Sequence, residues 1–193
     1  VDWNSRLVAG ECYAARGALE HPGAAPALRR RLTLPSWHQR LKAACVRGLG
    51  DSGEAAAIDD VLPLLADASE HDGVRQAACG AAASLGARHL LARERVRRAL
   101  EPLLDDGAMH IRAAAARALA SLGDPQARGA LAAQQGREIF GNVKRVLREA
   151  DATLSKAAAA TTASAECQRK LDELERKHSD LERRLAALEK RLG

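Results

Sequence analysis

The sequence predicts an all-α protein: an α-α superhelix, or solenoid, of four to five helix pairs followed by a C-terminal coiled-coil helix. Three observations predict it. Aromatic residues make up only 2% of the 193-residue chain although hydrophobic residues make up 47%. Ala, Leu and Arg, all strong helix formers, stand in place of the aromatic and β-branched residues that sheets draw on. A short motif recurs at a nearly constant interval along residues 1–156, and residues 166–193 step their apolar positions by three and four.

The recurring motif is a basic residue beside an apolar one, then small residues, then Leu-Gly or its remnant. Its instances are Arg6-Leu7, Arg40-Leu41, Val74-Arg75, Ile111-Arg112 and Val143-Lys144, so the basic residues are spaced by 34, 35, 37 and 32. Trp3 and Trp37 each precede their Arg by three residues, and Gly48-Leu49-Gly50-Asp51, Ser84-Leu85-Gly86 and Ser121-Leu122-Gly123-Asp124 are matching endings. Each unit reads as two helices. Asp60 to Leu65 opens one unit, whose second helix is predicted from Gly73 to Leu85; Arg95 to Leu104 and Met109 to Leu122 repeat the pair. The glycine after each second helix is the expected left-handed stop. Ala77, Ala78 and Ala82, then Ala114, Ala115 and Ala118, give these helices a small-residue contact side. Such a layer cannot close a core alone, so stability must come from neighbouring units.

Leu-Leu-x-Asp, a short loop, Val-Arg, Ala-Ala and Leu-Gly resemble HEAT repeats of the armadillo-like class, in their shorter form. The likeness covers residues 1–156. It implies a polar ladder between units, carried here by Asp106 and Arg112, with Arg75 and Arg40 as further rungs that stack and cap the rod.

Residues 157–165, an Ala/Thr run, read as a hinge or a weak helix. Beyond them Leu171, Leu174, His178, Leu181, Leu185, Leu188 and Leu192 form an a/d heptad seam. The g positions are Lys170, Lys177, Arg184 and Arg191, and the e positions Glu175, Glu182 and Glu189. In a parallel pair Lys170, Lys177 and Arg184 meet Glu175, Glu182 and Glu189 of the partner helix; in an antiparallel pair both rims repel. A parallel homodimer is therefore expected. His178 at a seam position sets register, and acid should weaken the pair by charging both copies.

Chemistry is not written into this sequence. The histidines at 21, 38, 71, 89, 110 and 178 form no HExxH or HxH arrangement, and no phosphate loop or GxSxG elbow occurs. Asp59-Asp60 and Asp105-Asp106 read as solvated charge at helix edges. No catalytic, cofactor-binding or metal residue is expected. Cys12, Cys45 and Cys79 recur at spacings of 33 and 34 without a CxxC pair, as small buried hydrophobes would; Cys167 stands apart. Reduced thiols suit a cytoplasmic setting. The net charge of +5 divides as 22 Lys/Arg against 18 Asp/Glu over residues 1–165 and 8 against 7 over 166–193. Neither segment has the strong single-sign field, or the aromatics, of a nucleic-acid binder. No run approaches the ~20 apolar residues of a membrane span.

The chain begins at Val1 with no signal-peptide pattern, which reads as a segment cut from a longer protein. Gly141, Val143-Lys144-Arg145-Val146 and Arg148-Glu149-Ala150, followed by the Leu/Glu/Arg heptads, are similar to the C-terminal region of bacterial zinc aminopeptidases of the aminopeptidase N type. That resemblance implies a non-catalytic C-terminal module that packs on a peptidase domain and limits access to it. The zinc belongs to that other domain, so no metal residue carries over to this chain. The alternative is a free-standing HEAT scaffold for a partner protein, dimerised by its tail.

Overall fold

The computed structural model describes residues 24–34 and 37–192; of residues 37, 161, 163–165, 167 and 180–192 it describes the backbone alone. The Arg6-Leu7 repeat, Trp3 and Cys12, and the seam side chains of Leu181, Leu185, Leu188 and Leu192, lie outside the described set. Within it the protein is all-α: eight α-helices with 3-10 turns between several of them and no strand among the described residues. They are α1 (Ala24–Arg29), α2 (Arg40–Asp51), α3 (Ala57–Ala66), α4 (Asp72–Arg88), α5 (Arg93–Leu100), α6 (Met109–Leu122), α7 (Arg128–Arg137) and α8 (Gly141–Leu192). The chain divides into two compact units, Val1–Leu154 and Ser155–Gly193.

In the first unit α2 packs on α4 and α4 on α6, with α3 against α4 and α5 against α6. The alanines make this possible. Ala78 and Ala82 of α4 and Ala115 and Ala118 of α6 are buried, so neighbouring backbones approach closely. One core runs through these layers, carrying Leu49, Leu65, Leu85, Leu119, Leu131 and Leu147, each with essentially no exposure. Burying such a side chain contributes about 1.5–3 kcal/mol. Val143, Val146, Leu147, Ala150 and Leu154 recur at helical spacing and bury the first turns of α8 in the same core.

Local chemistry sets the helix ends. The His71 side chain accepts a hydrogen bond from the Gly73 N–H at 3.0 Å and caps α4. Asp124 accepts from the Gln126 N–H at 3.0 Å and opens the 3-10 turn Pro125–Ala127. The helix predicted from Arg95 to Leu104 begins as α5 but tightens to a 3-10 turn over Glu101–Asp105, where Pro102 has no N–H to give.

The glycine endings turn out to do two different jobs. Gly123 terminates α6 in the left-handed region, at φ 72°. Gly50 and Gly86, expected as the same kind of stop, lie inside α2 and α4. A Cβ on Gly50 would stand 2.5 Å from the Ala81 Cα, and one on Gly86 2.6 Å from Leu122 Cδ1. They are glycine because the next helix needs the space.

The second unit is helical through the Ala/Thr run of 157–165 and on to Leu192. Its described charges pair along the helix, Lys170 with Glu166 at 3.0 Å and Lys177 with Glu173 at 2.7 Å. Leu171, Leu174 and His178 are exposed.

Candidate functional site

The helix starts carry a repeated ion pair. Lys42, in the first turn of α2, pairs with Glu70 in the loop before α4. Arg75, in the first turn of α4, donates from Nη2 to Asp106 Oδ2 at 2.6 Å, in the loop before α6, and also to the Leu65 carbonyl at 3.3 Å. Arg112, in the first turn of α6, holds Glu138 before α8 through Nε at 2.7 Å and Nη2 at 3.0 Å. Arg112 also donates to the Asp106 carbonyl at 2.8 Å, which joins two successive rungs. Each cation sits two or three residues into a helix, and each acid two or three residues before the next helix of the row.

Of the residues expected in a ladder, the structure brings Arg75, Asp106 and Arg112 together. Arg40 is exposed, and the rung of its unit falls to Lys42. Glu70 and Glu138 were not legible as rungs. Both sit in loops of irregular length, so the intervals from cation to acid are 28, 31 and 26 residues. An acid shortly before each second helix is the signal that would have found them.

The pairs have electrostatic consequences. The Arg112 hydrogen bonds, aided by the N–H groups of Phe140 and Ile139, hold the Glu138 carboxyl at about 2 against the opposing effect of burial. Burial pushes Asp106 up, but the Arg75 hydrogen bond and the Ala108 N–H outweigh it and leave its carboxyl below the usual range. The Phe140 ring lies 5.6 Å from the Arg112 guanidinium carbon and covers it.

Several other arginines also pair with carboxylates of the chain. Arg97 holds Asp124 at 2.9 Å and Glu101 at 2.7 Å; Arg95 meets Asp59 at 2.7 Å, Arg29 meets Asp60 at 2.5 Å, and Arg128 meets Asp151 at 2.8 Å. The adjacent aspartates 59 and 60 therefore act as ion-pair partners in the first turn of α3, where the helix dipole also favours them. The basic cluster of Arg93, Arg95, Arg97 and Arg98 is not a bare cationic stripe.

A different surface is left for contact. The exposed sides of α4, α6 and α8 border a groove of about 240 Å³. Met109, Ala113, Val143 and Val146 form its apolar part, and Arg117 and Arg145 stand on its polar edge. His110 on the same edge reaches across to Asp72 at 2.7 Å.

Among the described residues, no group of three or more His, Cys, Asp or Glu side chains could hold a metal ion. Cys45 and Cys79 are unpaired and buried, and burial pushes their thiols up to about 11 and about 12. No helix among the described residues is long and apolar enough to cross a membrane. No family model matches the chain, and no curated protein matches it.

Proposed function

We propose that this chain is a non-catalytic protein-binding module: a HEAT-type α-solenoid whose second helices offer their outer face to another protein, with the tail of residues 166–193 self-associating as a parallel coiled coil. The observation that carries this reading is the tie repeated from helix to helix, Lys42–Glu70, Arg75–Asp106 and Arg112–Glu138. It holds α2, α4, α6 and the start of α8 in series by one repeated device. That is how a repeat array builds an extended surface without a central active site. The unpaired buried thiols support a cytoplasmic setting.

The test is the native state of the protein in its source cells. An antibody against this chain should recover it with a second protein, identified by mass spectrometry, or as part of a polypeptide several-fold heavier than 20.5 kDa. A heavier band with zinc-dependent aminopeptidase activity in the same precipitate would make the partner a peptidase domain on the same chain. A band near 20.5 kDa with a separate partner would make it a free-standing scaffold. A lone 20.5 kDa monomer that recovers nothing would overturn the module reading.

A further inference from the structure

We infer that the groove bordered by α4, α6 and α8 is a docking site for an acidic peptide segment of a partner protein, one that presents an apolar side chain between carboxylates. This rests on the protein-binding reading and names the chemistry of the partner.

The charge distribution carries the argument. Arg75, Arg97, Arg112 and Arg128 each face a carboxylate at 2.6–2.9 Å. Arg117 has no ion pair among the described residues. The carboxylate paired with Arg145, Glu149 on the same helix, is 3.9 Å away. The groove's lining contains no carboxylate, and Asp72, outside that lining, is hydrogen-bonded to His110. Two guanidinium groups thus border the groove, Arg117 with no ion pair among the described residues and Arg145 with only the long, exposed contact to Glu149, and a guanidinium fork matches a carboxylate in geometry as well as charge.

The groove itself sets the rest of the ligand. Its apolar part, Met109, Ala113, Val143 and Val146, suits an aliphatic side chain. About 240 Å³ falls below the roughly 300–1,000 Å³ of small-molecule sites, so a side chain presented by a peptide fits better than a whole cofactor. A nucleic-acid strand would want aromatic platforms for its bases. The groove has none, and Phe140 is engaged with Arg112.

The test uses the full chain and a fluorescein-labelled peptide with one Leu flanked on each side by two Glu, followed by fluorescence anisotropy. The expected result is saturable binding that weakens as salt rises. The double variant Arg117→Glu and Arg145→Glu should bind roughly tenfold more weakly, since two exposed attractions become repulsions. Both positions are exposed, so folding should survive, and a thermal melt checks it. The same peptide with Ala for Leu should also bind more weakly. No binding of the acidic peptide, equal binding by the double variant, or preferential binding of a thymidine oligonucleotide would overturn the proposal. If the double variant still recovers the cellular partner, the groove is not the docking site while the module reading stands.

Discussion

Arg112 grips both carboxylate oxygens of Glu138 with two N–H···O bonds, at 2.7 and 3.0 Å, and both residues are buried. The acid's remaining lone pairs take the N–H groups of Ile139 and Phe140, both at 3.0 Å. One carboxylate therefore anchors α6, starts the turn into α8 and places Phe140 over the guanidinium. Removing the cation would strand a buried negative charge. Arg112→Met should lower stability by about 3–5 kcal/mol, and adding Glu138→Gln should recover part of that loss. A urea-denaturation double-mutant cycle measures the coupling; purely additive losses would show that the pair is not coupled.

Acid should dissolve the same rung, and the sign follows from the direction of the shift. Glu138 titrates at about 2 in the folded protein against 4.5 ordinarily, because Arg112 favours its charged form. Between these values the unfolded chain binds the proton and the folded one does not. The rung's contribution is therefore complete above pH 4.5 and is lost as pH falls towards 2. Asp106, also lowered, adds with the same sign. Unfolding free energies measured at pH 7, 5, 4 and 3 should fall below pH 5, and less steeply in Glu138→Gln. A wild-type stability that stays flat from pH 5 to 3 would contradict this account.

The two glycines inside helices give a contrast that does not depend on charge. A methyl group on Gly50 would meet Ala81 backbone at 2.5 Å, whereas one on Gly80 would meet nothing within 4 Å. Gly50→Ala should cost about 1–3 kcal/mol by forcing α2 away from α4. Gly80→Ala should gain about 0.5–1 kcal/mol, the ordinary helix preference for Ala. Thermal melts of the two variants should move in opposite directions. A Gly50→Ala protein as stable as the parent would mean the two helices are not locked at this contact.

These glycines also mark how far the sequence could be read. Leu49-Gly50, Leu85-Gly86 and Leu122-Gly123 look alike as text, and the helix pairs they punctuate were legible from that text. Only Gly123 is a stop by its backbone. Gly50 and Gly86 answer to residues 31 and 36 positions further on, and local pattern carries no information about such neighbours. The ladder was legible in the same partial way. Arg75 and Arg112 belong to the recurring motif, and Asp106 closes a Leu-Leu-x-Asp pattern. Lys42 was hidden by the more conspicuous Arg40 two residues earlier. His38 and Gln39, with φ of 46° and 51°, precede the start of α2 and break the local register. The groove was not legible at all, because Gln76, Arg117 and Arg145 belong to three helices and only packing brings them to one surface.

The tail yields the last prediction, and its orientation can be read two ways. Leu171 and Leu174 are exposed, at 48% and 61%, which leaves an apolar stripe on a solvated helix. Pairing would cover it, and Leu174→Asp should convert a dimer to a monomer in sedimentation equilibrium. In a parallel pair Lys170, Lys177 and Arg184 meet Glu175, Glu182 and Glu189 of the other copy, so added salt should weaken the dimer. In an antiparallel pair like charges meet and salt should strengthen it. Cys167 stands seven residues before Leu174 and so shares its d position in the heptad. Parallel helices place the two copies of a d residue opposite each other, within reach of a disulfide. Antiparallel helices that overlap from 167 to 192 would hold the two thiols roughly 40 Å apart, at about 1.5 Å per residue. Mild oxidation should therefore link the wild-type chain into a dimer through Cys167, and Leu174→Asp should abolish the link. A dimer that oxidation leaves unlinked, and that salt tightens, would make the pair antiparallel.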